Sequence, residues 1–421
     1  MKVTLINTSD AGGGAPEACM RLLKALQLKQ VDAHLLVQVK KTTTESVEAS
    51  SIGFLGRLKA TYRFLTERIP FILFNAEDRS VRFSFSTGTV GTDISEHRLI
   101  EQADVLHLHW TNQGFLSINS LKQLVRLNKP VVWTLHDMWA FTGGCHYSGD
   151  CNHFIRHCGY CWMLKDPEGK DLSNKGWIRK MHLFEDVNSI VFVTCSHWLA
   201  NEARASSLLK GYRIETIPNA IDTGIFLPRP AAPLQQKWQI TGGKKIILFG
   251  AANIMDRRKG IVYLVEALNH LKNDYPGTED MEIVIFGKNK TFDVELLPFK
   301  VHELGIINNQ RDMAELYSLA DVFVTPAIED NLPNTVMEAL ASGTPVVAFN
   351  TGGIPDMVDH LQNGYLAEYK SPADFAAGIN FVLNNNEPGA LAENARNKVM
   401  QNFTNEIVAA KYMALYQSLL N

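Results

Sequence analysis

The chain lacks any uncharged apolar run of the roughly 18 residues that a membrane-spanning helix needs. It also lacks an excess of either charge: 41 Lys and Arg against 44 Asp and Glu leave a net charge of −3, which argues against a general nucleic-acid binder. No internal repeat or low-complexity tract is present. The G-x-G-x-x-G fingerprint is missing too, which removes the main support for a dehydrogenase. The opening MKVTLIN runs directly into a strand pattern, so no signal peptide is expected and the expected compartment is the cytoplasm. Cysteine is scarce, six in all, and in that compartment disulfides are not expected. What remains, 46% apolar and 20% charged over 421 residues, fits an ordinary folded protein of two or three domains.

Short apolar runs alternate with helical spacing. Lys2 to Asn7 reads as a strand, and Gly12-Gly13-Gly14 then leads to Pro16 and a helix carrying Cys19, Leu22, Leu23 and Leu26. Asp104 to His109, Pro130 to Leu135 and Ser189 to Thr194 are further strands. Residues 227–244 are Pro-rich and then Gly-rich, the composition of a linker. A second series opens at Lys245, with strands at Glu282 to Phe286 and Lys300 to Leu304, and Thr404 to Asn421 closes the chain as an amphipathic helix.

The densest signal is Asp321 to Val358, DVFVTPAIEDNLPNTVMEALASGTPVVAFNTGGIPDMV. Val322 to Val324 is a buried-strand run, and Pro345 to Phe349 a second one. Between them Asn334 stands where a helix N-cap belongs and Gly343 where a C-cap belongs. In a doubly wound sheet, ligands bind beyond the carboxyl ends of strands, and a helix N-terminus offers N–H groups and positive dipole to a phosphate. Asp330 on the loop and Glu338 on the helix can accept hydroxyls on either side of that phosphate, the layout of a nucleotide-sugar. The same two carboxylates alone also fit a capping acid and an ordinary surface glutamate.

Other candidates each carry two readings. Gly13 and Gly14 let backbone approach a ligand, or simply make a turn. His107 and His109 share one face of their strand, and His136 ends the next, where an imidazole can reach a sugar or sit bonded at a core edge. Arg257, Arg258 and Lys259 form either a solvated loop or a set of cations for a diphosphate. Cys145, Cys151, Cys158 and Cys161, with His146, His153 and His157 among them and few apolar residues for a core, can close a structural zinc site; free thiols and redox or iron–sulfur use are the alternatives. Residues 53–74 interleave Arg57, Lys59, Arg63 and Arg68 with Phe54, Tyr62, Phe64, Phe71 and Phe74. Such a helix can rest on an anionic membrane, or face a core and leave a solvated basic side.

The run D-x7-E into MEALASGTPVVAFNTGGIPDMV resembles the signature of the family-four retaining glycosyltransferases of the GT-B fold. Their motif is E-x7-E, so Asp330 or the adjacent Glu329 takes its first position. TLHD, holding His136, resembles the motif whose histidine contacts the donor sugar, and the Gly13-Gly14-Ala15 turn resembles the family's GGA turn. Lys259 matches the family's lysine; Arg258 takes the part of an arginine that usually follows the strand glycine, where this chain has Ala251.

The resemblance implies an α/β protein of two Rossmann-like doubly wound domains facing across a cleft. Residues 1–226 would be the acceptor side, with 404–421 crossing back, and 245–403 the nucleotide-sugar domain. It implies retaining transfer of a sugar from a UDP- or GDP-linked donor to a glycan or lipid-linked acceptor, in capsule, exopolysaccharide or lipopolysaccharide synthesis, without a catalytic metal. Asp330 or Glu329 would orient the donor sugar, Glu338 the ribose, and His136 the sugar from the other domain. Gly13, Gly14, Arg258, Lys259, Asn331, Leu332, Asn334 and Thr335 would complete the donor site. Two other readings use the same fold: a non-catalytic scaffold in a polysaccharide-assembly complex, and a nucleotide-sugar epimerase. Membrane contact through residues 53–74 would suit a lipid-linked acceptor on the inner face of the membrane.

Overall fold

A computed structural model of the chain describes residues 1–74, 84–240 and 242–421. Runs of β-branched and large apolar residues become strands with no exposed side: VVWTL at Val131–Leu135, IVFVT at Ile190–Thr194 and VFVT at Val322–Thr325 are buried at every position. Strands of this kind belong to parallel sheets covered by helices on both faces.

Two such sheets form. The first contains β1 (Lys2–Ser9), β2 (Asp32–Val39), β3 (Val47–Ala49), β4 (Val105–Leu108), β5 (Val131–Leu135), β6 (Ile190–Thr194) and β7 (Ile214–Thr216), in the order β3-β2-β1-β4-β5-β6-β7. The second contains β8 (Lys245–Asn253), β9 (Met281–Lys288), β10 (Lys300–Glu303), β11 (Val322–Thr325), β12 (Val346–Phe349) and β13 (Gly364–Ala367), in the order β10-β9-β8-β11-β12-β13. The pairings are parallel. Each order reverses once, between β1 and β4 and between β8 and β11, so each sheet is doubly wound about one switch point.

The chain divides into two compact units, Met1–Pro218 with Val408–Asn421, and Asn219–Ile407. Ile6, Leu106, Trp133 and Phe192 lie at the heart of the first core, and Phe249, Ile283, Val324 and Phe349 at that of the second. The stretch expected as a linker, 227–244, falls within the second unit and holds a helix, Ala231–Trp238, seated through buried Leu234; residue 241 lies outside the described residues. The closing helix, Asn405–Leu420, buries Val408, Tyr412, Leu415 and Tyr416 along one face. Its two tyrosines dock on β4 and β5: Tyr416 Oη lies 2.6 Å from His107 Nδ1, and Tyr412 Oη 2.8 Å from Thr134 Oγ1.

The cysteine-rich stretch is better supplied with apolar partners than its sequence suggests. Phe71 and Phe85 stack with ring centroids 4.8 Å apart and build a satellite core with Cys161, Met163 and Leu164. All six cysteines are free. Burial pushes the thiol of Cys158 up to about 11 and that of Cys161 up to about 12. Among the described residues no group of three or more His, Cys, Asp or Glu is arranged to hold a metal ion. The four thiols expected as zinc ligands nonetheless lie near one another: burial first, and then Cys161, Cys158 and Cys151, push the Cys145 thiol well above its ordinary value. His146 is engaged elsewhere, with Nδ1 2.7 Å from Asp137 Oδ2 and Nε2 2.9 Å from Ser86 Oγ.

Candidate active site

In the second unit, three loops leave the carboxyl ends of β8, β11 and β12, the first two at the switch point. Beyond β8 the chain turns through Arg257–Lys259, with the Asp256 side chain accepting from Arg258 N. Gly260 follows at φ 68°, pressed so close to the loop after β11 that a Cβ there would lie 1.9 Å from Pro326 O. Ile328 N donates to Arg258 O at 2.8 Å, so backbone alone fixes the basic turn against the acidic loop. Across that seam Lys259 Nζ donates to Asp330 Oδ2 at 2.6 Å. Arg258 Nη2 lies 2.7 Å from Asp256 Oδ2. The loop after β12 backs Asp330 from behind: Gly353 N donates to its carbonyl at 3.1 Å. Gly352, at φ 56°, has that same oxygen 2.0 Å from where a Cβ would stand.

The helix Asn334–Ala341 starts at the end of this loop. Asn334 was expected as its cap, but the cap is Pro333, and Asn334 is the first helical residue. A tertiary contact accompanies the difference: Asn334 Oδ1 accepts from Asn219 Nδ2 at 3.3 Å. Pro333 offers no side-chain acceptor, so the positive end of the helix carries no side-chain cap. Glu338, one turn further on, is buried, and Tyr317 Oη donates to its Oε2 at 3.0 Å. Asn331 and Leu332 are buried, whereas Glu329, Asn334 and Thr335 are half-buried.

In the first unit, β1 runs into Asp10, whose carboxylate accepts from Lys41 N, Thr42 N and Thr42 Oγ1 at 2.9, 2.8 and 2.7 Å. Gly13, at φ 124°, precedes the helix Gly14–Leu28, and both Gly13 and Gly14 are exposed. His109 follows β4 and His136 follows β5, with His109 Nδ1 3.0 Å from His136 Nε2. The Sγ of Cys195 lies 3.9 Å from His136 Nδ1. His107 lies behind, its ring centroid 4.2 Å from that of His109 and its Nε2 2.8 Å from Thr134 Oγ1. Burial holds His107 down to about 3 and His136 to about 4, and pushes His109 well below the ordinary imidazole value. All three are neutral donors and acceptors at pH 7. His109 Nε2 is buried without a hydrogen-bond partner among the described residues.

Burial alone would raise Asp137, but the His146 imidazole and hydrogen bonds from His146, Trp139 N and Trp110 Nε1 overcome it and hold the carboxyl below its usual range. Asp137 thus fixes the corner that carries His136. In the first unit Gly13 and Gly14 follow β1 at the switch point and His136 follows β5, one strand beyond it; in the second, Arg258, Lys259, Glu329, Asp330, Asn331, Leu332, Asn334, Thr335 and Glu338 gather at the switch point. Tyr317 was missed by the sequence reading, since a tyrosine in an amphipathic helix marks a core. The second group joins a cation and an uncapped helix end, which suit a phosphate, to two carboxylates, which suit hydroxyls.

Residues 12–224 match Glycosyltransferase Family 4 and residues 232–398 match Glycosyl transferases group 1. The N-acetyl-alpha-D-glucosaminyl L-malate synthase of Bacillus anthracis is 24% identical over 326 residues, 76% of each chain. The putative colanic acid biosynthesis glycosyl transferase WcaC of Escherichia coli (strain K12) is 26% identical over 361 residues, 83% of each. Among solved structures, Anabaena HepE in complex with UDP-glucose has a TM-score of 0.64 at 17% identity, covering 99% of this chain and 100% of that one, a likeness of fold. With half of its length in the first of these families and a GT-B pair of parallel sheets, the chain belongs to glycosyltransferase family 4.

Proposed function

We propose that this glycosyltransferase moves a sugar, with retention of configuration, from a UDP- or GDP-linked donor to a hydroxyl of a glycan or lipid-linked acceptor in capsule, exopolysaccharide or lipopolysaccharide synthesis. One observation carries the reading: Lys259 Nζ and Asp330 Oδ2, 2.6 Å apart, stand at the switch point whose next helix has no side-chain cap. The diphosphate lies at that helix end, and Lys259 turns from Asp330 to its oxygens. Asp330, released, accepts hydroxyls of the donor sugar, with Glu329 beside it. Glu338, held by Tyr317, accepts those of the ribose. Asn331, Leu332, Asn334 and Thr335 line the approach, and Arg258 adds charge once it leaves Asp256. His136 and the Gly13-Gly14 turn carry over from the family resemblance as donor contacts, His136 as a neutral imidazole.

The resemblance also supplies the stereochemistry. The acceptor oxygen bonds to the anomeric carbon on the face the nucleotide leaves, and its proton passes to a phosphate oxygen of the departing group. Lys259 and the helix dipole stabilise the negative charge that develops there, a role that divalent metals fill elsewhere. Support comes from HepE, solved with UDP-glucose, and from WcaC, whose name refers to colanic acid. The test is nucleotide release from UDP- and GDP-sugars with a membrane extract as acceptor. Lys259→Ala and Asp330→Asn should each lower kcat by about a hundredfold or more. Donor binding without release from any sugar nucleotide would replace this reading with the scaffold.

A further inference from the structure

The helix Gly53–Phe74, whose sequence fits either a membrane-seated helix or a core-facing one with a solvated basic side, buries one face and leaves a second, apolar face exposed. Its buried residues are Ala60, Glu67, Arg68 and Phe71. Glu67 Oε1 accepts from Thr87 N at 2.7 Å and Gly88 N at 3.2 Å, and Phe71 stacks on Phe85. These contacts fasten the helix to the first unit. The outer face carries Phe54, Leu58, Tyr62, Leu65, Ile69 and Ile72, whose spacing of three and four residues puts them on one stripe. Each is between 46% and 80% exposed. Single exposed apolar residues are ordinary, but a continuous stripe along a whole helix marks a surface that leaves water.

The charges around the stripe choose the occupant. By helical periodicity Arg57 and Lys59 lie on its two flanks, and both are exposed. The helix has one acid, Glu67, and it is buried on the opposite face. A second copy laid stripe to stripe would bring Arg57 and Lys59 against like charges, with no carboxylate of this helix exposed to meet them. A surface of anionic phosphates beside hydrocarbon matches both features. Among the described residues no helix is long and apolar enough to cross a membrane, so the helix would lie on a bilayer rather than through it.

We propose that this stripe seats the first unit on an anionic lipid bilayer, with the six apolar side chains at the acyl boundary and Arg57 and Lys59 on lipid phosphates. The proposal stands independently of the sugar-transfer reading. It is tested by co-sedimentation of the full chain with vesicles of phosphatidylcholine alone and of phosphatidylcholine mixed with phosphatidylglycerol. Binding is expected to the anionic vesicles, weaker to the zwitterionic ones, and weakened by salt. Leu58→Glu with Leu65→Glu should abolish it while leaving circular dichroism and Tm unchanged, since both side chains are exposed. Arg57→Ala with Lys59→Ala should lower partitioning about thirtyfold, about fivefold for each charge. Failure of the wild type to bind, or equal binding by the variants, overturns the proposal. So does light scattering that shows a dimer which Leu58→Glu with Leu65→Glu converts to monomer, because the stripe is then a protein interface.

Discussion

Tyr317 is where residue-scale geometry adds most to the motif. Its hydroxyl holds one oxygen of the buried Glu338 carboxylate at 3.0 Å. In Tyr317→Phe that oxygen loses its donor, at about 1 kcal/mol in stability. If Glu338 receives the ribose, the donor KM should rise about tenfold with kcat nearly kept, and Glu338→Gln should raise it further; a purely structural hydroxyl would shift Tm and leave KM alone. Lys259, Asp330 and Glu338 were legible in the sequence because two lie in one contiguous motif and the third follows a strand. Tyr317 and Tyr416 were not, because their partners are 21 and 309 residues away and both read as core. The cysteines are a mixed case. Their spacing grouped Cys145, Cys151, Cys158 and Cys161, and the fold does bring these thiols near enough to act on one another, but spacing along a loop did not reveal that Cys161 also packs with Phe71 and Phe85.

At the scale of elements, buried apolar runs located most strands that build the two sites, since a strand covered on both faces has little freedom in composition. Helix starts were less legible. Asn334 has the chemistry of a cap, yet a side chain from elsewhere in the second unit engages it and Pro333 takes the position. The exposed apolar side of Gly53–Phe74 was likewise legible only as one of two readings, because periodicity reveals an amphipathic stripe without saying which stripe faces the core. The three loops at the second switch point depend on close backbone approach, which makes Gly352 a sensitive position. Gly352→Ala combines a positive φ with a Cβ 2.0 Å from Asp330 O, so the acidic loop must shift. Gly243→Ala is the matched control, with φ 80° and no atom within 4 Å of its Cβ. Both should lose about 1 kcal/mol from the positive φ. Only Gly352→Ala should also weaken binding of the donor, measured by calorimetry, and equal affinity in the two variants would remove the loop from the site.

For the whole molecule, the neutral histidines behind the first switch point set how stability responds to acid. His107 is fully buried between Tyr416 and Thr134, and burial holds its pKa to about 3 against an ordinary 6.5. The unfolded chain therefore binds a proton below about pH 6.5 that the folded chain refuses until about pH 3. Across that window unfolding takes up a proton, so stability falls as pH falls, by up to about 1.4 kcal/mol per pH unit for one histidine. His109 and His136 are displaced in the same direction by the same burial, so the slope should exceed one proton between pH 6 and 4.5. Urea melts at a series of pH values measure it. His107→Gln keeps an amide that can bond both Tyr416 and Thr134 but cannot titrate, so it should flatten the slope by about one proton while lowering the stability at pH 7 by less than His107→Ala does. A slope unchanged in His107→Gln would mean that the proton is taken up elsewhere, and that the contact between the closing helix and β4 does not resist acid in the way its burial implies.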